Sequence, residues 1–232
     1  MAEPGDSEVM KMIRWIYVLG ALPAVLLMGV AAAVAEVTAR TVELQGHQIH
    51  LLRAGPAKGR AVLLRHGGKF TSATWKQLGT LDVLADAGHR VLAIDIPGSG
   101  KSPGWALDPK TFLAELIALL EIGRPVVLSP SRSGNLSFPL ILDHPEMVSG
   151  YVAIAPVGVK KYASELKQNP IPALIVWGQR DRLFPPSMAT KLAAGFKTAK
   201  VVILTGAQHA AYLDEPNLFH KALLKFLAEL GD

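Results

Sequence analysis

The 232-residue sequence contains no cysteine. That absence removes disulfide bonds, thiolate metal sites and a cysteine nucleophile together. It leaves the compartment open, because exported and cytosolic proteins alike can dispense with disulfides. Long runs of like charge are missing too. Net charge is +5, and since the first 35 residues hold two basic against three acidic side chains, the remainder carries +6. The basic residues are scattered, with no aromatic platform interleaved among them. They read as solvated surface, and no nucleic-acid partner is expected. No internal repeat, metal-ligating cluster or cofactor motif stands out, so neither a metal nor a cofactor is expected. Gly98-Ser99-Gly100-Lys101-Ser102 superficially resembles a phosphate loop but lacks that motif's leading glycine.

Half of the chain is hydrophobic, enough for one domain with a sizeable core plus a short appendage. The appendage is residues 1–35. From Trp15 to Ala35 no charge appears, Lys11 and Arg14 precede the run, and Ala33-Val34-Ala35 closes it before Glu36. A positive flank, an apolar stretch and a small-x-small end describe a secretory signal cleaved after Ala35. The same 21 residues are long enough to span a bilayer as an uncleaved anchor, giving membrane association through residues 15–35. Charge asymmetry puts the globular part outside the cytosol in both cases. The expected address is therefore secreted, periplasmic or membrane-anchored.

Residues 36–232 read as a single α/β domain. Strand-length apolar runs alternate with amphipathic stretches of helix length, the pattern of a mostly parallel sheet with helices on both faces. The strands are expected over Thr41 to Leu44 and Gln48 to Leu52, an opening hairpin around Gly46, then Ala61 to Leu64, Arg90 to Ile94, Val126 to Ser129, Tyr151 to Ala155, Ala173 to Trp177 and Lys200 to Leu204. Helices are expected from about Trp75 to Ala87, Pro109 to Leu120, Gly134 to Leu142, Ser187 to Ala194 and Asn217 to Leu230.

The segment Val126-Val127-Leu128-Ser129-Pro130-Ser131-Arg132-Ser133-Gly134 runs strand, sharp turn, small residues, helix. It resembles a nucleophile elbow, in which a serine occupies a strained turn and small neighbours let the backbone pass closely. Ser129 and Ser133 stand where glycines are usual. A nucleophile at Ser129 would put Val127 at the crowded position, and one at Ser133 would lie inside the helix, so Ser131 is the best register. Alone, the segment is equally a Ser/Pro turn with Ser131 or Ser133 capping the helix.

Its partners discriminate. A serine hydroxyl needs a base for its proton and a carboxylate to orient that base, and in an alpha/beta-hydrolase the chain order is serine, acid, histidine. Asp181 follows the strand Ala173 to Trp177, and His209 follows Lys200 to Leu204, both at carboxyl strand ends where ligands collect on such sheets. His47, His50, His89, His144 and His220 do not follow a late strand. Asp95 reads as part of a turn shaping the site wall, and Asp214 as the start of a helix. Only 50 positions separate Ser131 from Asp181, too few for a separate lid domain. Amides of Gly68, after the third strand, and Arg132, after the serine, are placed to form an oxyanion hole. His66 reads as structural. Lys69 and Arg132 bring positive charge near the mouth.

The stretches LLRHGGKFTSATWKQLGTLDVLADAGHRVLAIDIPGSGKS, VVLSPSRSG, ALIVWGQRD and GAQHAAYLDEP resemble the alpha/beta-hydrolase-domain-containing 14 proteins, with their H-G-x-x-F-x-S-x-T-W opening and S-P-S-x-S-G elbow. The resemblance runs from about Val42 to Leu230. It implies Ser131 as nucleophile, Asp181 as acid and His209 as base. The chain departs from the family pattern at Gln208, where a glycine usually precedes the base, and at Arg132, where leucine is typical. The expected activity is hydrolysis of small ester or acyl substrates through an acyl-enzyme. Two alternatives stand beside it, transfer of the acyl group to a thiol or amine and a non-catalytic interaction module on the same fold.

Overall fold

Residues 36–231 are described in a computed structural model. The signal or anchor expected over residues 1–35 lies outside the described residues. Among the described residues, no helix is long and apolar enough to cross a membrane.

Two residues with positive φ, Gln45 at 53° and Gly46 at 78°, make the tight turn that matches strand twist. They join β1 (Thr38–Leu44) to β2 (His47–Ala54) as an antiparallel hairpin with Leu44 opposite His47. The chain continues through β3 (Ala61–Leu64), α1 (Ser72–Gln77), α2 (Thr80–Asp86), β4 (Arg90–Ile94) and α3 (Phe112–Leu119). Then come β5 (Val126–Pro130), α4 (Gly134–Asp143), β6 (Gly150–Ile154), the one-turn α5 (Val159–Tyr162), β7 (Ala173–Gly178) and α6 (Ser187–Ala193). The last elements are β8 (Ala199–Leu204), the short α7 (Ala211–Asp214) and α8 (Pro216–Glu229).

Every expected strand forms, within a few residues at its ends. The helix expected from Trp75 to Ala87 is instead two. Gly79, in left-handed conformation at φ 74°, breaks the helical path between α1 and α2. The short helices α5 and α7 are too brief for hydrophobic periodicity to reveal.

One sheet of eight strands runs in the order β1-β2-β4-β3-β5-β6-β7-β8. It is parallel from β4 through β8, with β2 antiparallel to β4. Strand residues face alternate sides, and the buried strands are therefore apolar throughout. Leu63, Tyr151, Ile175 and Trp177 point into a core beneath α3, α4 and α6, while Val62, Leu64, Val152 and Val176 point into one shared with α1, α2 and α8. Trp75 of α1 is fully buried against Tyr212 and Phe219 in the second core. Parallel strands deliver their carboxyl ends, and the loops after β3, β5, β7 and β8, to one edge of the sheet.

Candidate active site

At that edge Ser131 leaves β5 with φ 47°, left-handed and sterically costly for a side chain bearing a Cβ. Strain of this kind, of order 1–3 kcal/mol, persists only where surrounding structure holds it. Here three contacts do so. The Ser131 carbonyl accepts a 2.8 Å bond from the Val157 amide. Ser133, buried, donates its hydroxyl to the His66 carbonyl at 2.6 Å. Gly134 packs so closely on the next connection that a Cβ there would sit 2.1 Å from the Val157 carbonyl oxygen.

The two serines in glycine positions are thus accommodated by hydrogen bonds. Ser129 pairs with Ser137 at 2.7 Å, and Ser137 with the Tyr151 hydroxyl at 3.1 Å, all three buried. The close backbone approach that a glycine permits occurs at Gly134.

Ser131, Asp181 and His209 meet. His209 Nε2 lies 2.9 Å from Ser131 Oγ, and His209 Nδ1 lies 2.8 Å from Asp181 Oδ2. The other carboxylate oxygen, Oδ1, accepts from the amides of Leu183 at 2.8 Å and Phe184 at 2.9 Å. Asp181 is buried and so locked in one rotamer. Trp177 donates its indole N–H to the Phe184 carbonyl at 2.9 Å, fixing the Asp181 loop to the core, and the Phe184 ring meets the His209 ring edge-on at 5.2 Å. On the base loop, the Gln208 amide donates to Asp214 Oδ2 at 2.6 Å. Gln208 in place of a glycine leaves His209 within reach of both partners. Asp214, read from the sequence as a helix start, is the last residue of α7 and tethers that loop instead.

Gly67 and Gly68 form the wall facing the serine. A Cβ on Gly67 would lie 3.8 Å from Ser131 Cβ, and one on Gly68 would lie 3.5 Å from Arg132 Cδ. The Gly68 amide donates no hydrogen bond among the described residues. His66 is structural, as expected. Its Nε2 accepts the Ile96 amide at 3.0 Å, so Nδ1 carries the proton toward the Gly67 carbonyl at 2.8 Å. Burial lowers its pKa against smaller upward pulls from the Gly67 carbonyl and Asp95, with the Arg132 and Arg65 charges adding lesser downward ones. The ring is a neutral bracket.

Asp95 does more than shape a turn. One oxygen accepts the Ser72 amide at 2.6 Å, while the other accepts the Lys101 amide at 2.8 Å and faces His50 Nδ1 at 3.1 Å. Burial alone would raise this carboxyl, but the hydrogen bonds from Lys101 and Ser72 and the His50 charge prevail and hold it below the usual range. Together with His66 it ties the loops after β3 and β4 to each other.

Arg65 went unrecognised in the sequence. It ends the apolar run of β3, is completely buried, and donates to the carbonyls of Leu128 and Ser133, each at 3.2 Å. Its own carbonyl accepts the Trp75 indole N–H at 3.2 Å. Burial lowers its pKa to about 10, which leaves it charged at neutral pH beneath the turn that carries Ser131. A lone arginine closing an otherwise apolar strand was the available signal. Among the other histidines, His47 stacks on Trp105 and His220 faces Thr80 Oγ1 at 2.9 Å. His144 lies beside Glu146. None of these three lines the cleft.

A cleft of about 320 Å³ opens over Ser131 and His209, walled by Gly67, Gly68, Phe70, Leu183 and Tyr212. It lies at the small end of ligand pockets, which run from about 300 to 1,000 Å³. No carboxylate lines it. Larger grooves at the opposite end of the strands and along β8 contain none of Ser131, Asp181 and His209.

The ABHD14B proteins of Pongo abelii and Homo sapiens are each 40% identical to the chain over 210 residues, 86% of this chain and 99% of theirs. The chain belongs to the alpha/beta-hydrolase-domain-containing 14 family. It is an alpha/beta hydrolase. Protein ABHD14A of Danio rerio is 36% identical over 84% of this chain and 77% of that one. A family model described as TAP-like protein matches residues 152–230, the part containing Asp181 and His209. The ABHD14B relatives are provisionally named protein-lysine deacylases. Solved structures agree on the fold. A protein of Thermoplasma acidophilum designated a CIB-like hydrolase has a TM-score of 0.80 at 23% identity, covering 84% of this chain and 100% of that one. Carboxylesterase CesB of Bacillus subtilis has 0.73 at 19%, covering 83% and 92%.

Proposed function

We propose that this family member is a serine hydrolase that cleaves small ester or acyl substrates through Ser131, His209 and Asp181. The observation that carries the reading is the unbroken chain from Ser131 Oγ through both nitrogens of His209 to Asp181, at 2.9 and 2.8 Å. With Nδ1–H donated to the carboxylate, Nε2 presents its lone pair to the serine hydroxyl. Ser131 Oγ adds to the substrate carbonyl as its proton passes to Nε2. The amides of Gly68 and Arg132 receive the oxyanion, a contribution on the order of 3 kcal/mol per donor. Collapse expels the leaving alcohol or amine, which takes that proton from His209. Water then adds to the acyl-enzyme, gives its proton to Nε2, and the acid departs as Ser131 regains a hydrogen.

The small cleft suits a short acyl group. A lysine side chain as leaving group fits the provisional name of the ABHD14B relatives, and it uses the same steps with an amine departing. Export of the catalytic domain is a further part of the proposal, supported by the charge and hydropathy pattern of residues 1–35.

Labelling by a fluorophosphonate probe tests the nucleophile. The intact, folded protein is expected to label and Ser131→Ala to remain unlabelled. Failure of the intact protein to label overturns the serine mechanism, and equal labelling of Ser131→Ala overturns the assignment of Ser131.

A further inference from the structure

Among the residues lining the cleft, Lys69 is a cation and no carboxylate appears. Lys69 comes immediately after the Gly67-Gly68 wall. Arg132 follows Ser131, and its stem folds back over Gly68, since a Cβ on that glycine would be 3.5 Å from Arg132 Cδ and 3.8 Å from its Cβ. The two cations therefore approach the same loop tip from different segments of chain. Both are exposed. Neither makes a hydrogen bond or ion pair among the described residues. Asp181, the carboxylate that faces His209, is buried and occupied by His209 and two amides. The rest of the cleft lining is largely apolar, with Phe70, Ile154 and Tyr212 in it.

An apolar lining that includes Lys69, with Arg132 packed beside its Gly68 wall, matches a molecule with a short methylene chain ending in an anion. We infer that the site prefers acyl groups carrying a terminal carboxylate, the half-esters and half-amides of short dicarboxylic acids, over neutral acyl groups of equal length. This inference rests on the serine-hydrolase reading above and specifies its substrate class. The methylenes would lie against the apolar lining while Lys69 and Arg132 meet the carboxylate. The chemistry at Ser131 is unaltered, because the carboxylate takes no part in bond making.

Mono-(4-nitrophenyl) glutarate and 4-nitrophenyl valerate share an acyl length and differ in the terminal charge, and 4-acetoxybenzoate carries its charge on the leaving group. The measurement is kcat/KM for each, corrected for spontaneous hydrolysis, in the full chain and in Lys69→Gln, Arg132→Gln and the double variant. Solvent-exposed ion pairs are worth up to about 1 kcal/mol each, which is up to about fivefold per cation. The glutarate-to-valerate ratio is expected to fall three- to fivefold in each single variant and about tenfold or more in the double variant. In the intact protein 0.5 M salt should lower the same ratio, because exposed charges are screened, and Lys69→Arg should retain it. An unchanged ratio in the double variant overturns the inference, as does a loss confined to 4-acetoxybenzoate, which would put the anion on the leaving-group side. If valerate is hydrolysed in a Ser131-dependent way while the ratio ignores both cations, only the substrate class fails. If no ester is turned over and the probe does not label, the hydrolase reading fails and this inference with it.

Discussion

Replacing Asp181 by asparagine separates the chemistry of the carboxylate from its structural work. Oδ1 accepts two backbone N–H groups, from Leu183 and Phe184, and Oδ2 faces His209 Nδ1. In Asp181→Asn the two amides require an acceptor, so they select the carboxamide oxygen and turn its NH₂ toward His209. That amide can only donate, and Nδ1 must then become the acceptor. The imidazole proton moves to Nε2 and points at Ser131 Oγ, where it can no longer take the serine proton. Loss of the correct tautomer costs about 10⁴-fold in kcat, near 5 kcal/mol in the barrier. Stability should change little, because both backbone bonds survive. Asp181→Ala, by contrast, abandons two amides of a part-buried loop, at up to about 1–3 kcal/mol each. The assay is hydrolysis of 4-nitrophenyl acetate at pH 7.5, beside thermal unfolding of the same preparations. A folded Asn variant that keeps more than a tenth of the parent kcat would refute the tautomer argument and, with it, the role given to Asp181.

Two further outcomes follow from the geometry. Gly178→Ala places a Cβ 1.9 Å from the Gln208 carbonyl oxygen and 2.6 Å from that of Ala207, so the loop presenting His209 must shift by about an ångström, enough for about a 10²-fold loss of kcat; a kcat within threefold of the parent contradicts the stated packing. Burial lowers the pKa values of His66, His89 and His220, so below about pH 6.5 the unfolded chain binds protons that the folded chain refuses. Their contribution is fully present above that pH and is lost as pH falls, with the depressed Asp95 carboxyl adding its own loss further into the acid range. Urea unfolding at pH 8, 7, 6 and 5.5 should show a falling free energy below pH 7, and a flat or rising profile excludes this account.

What the sequence made legible depended on how far each interaction reaches along the chain. Strands showed themselves because burial on both faces demands uninterrupted apolar residues, and the meeting of Ser131, Asp181 and His209 because chain order and strand ends are one-dimensional facts that the parallel sheet converts into proximity. The split between α1 and α2 escaped because Gly79 reads as a tolerated helix residue until its positive φ is seen. The glycine-poor elbow is the more instructive case. Each departure from G-x-S-x-G is compensated by a partner remote in sequence, Ser129 by Ser137 and Tyr151, Ser133 by the His66 carbonyl 67 positions away. No local pattern records such a bond. Arg65 belongs to the same class, since its two acceptors lie 63 and 68 positions along the chain. A fully buried cation with no carboxylate among its hydrogen-bond partners is expensive, and the carbonyls that repay part of that cost flank Ser131 on both sides. The loops after β3 and β5 are therefore bound into one unit, so the Gly67-Gly68 wall and the Ser131 turn hold their spacing together, which two glycines and a strained serine could not maintain by themselves.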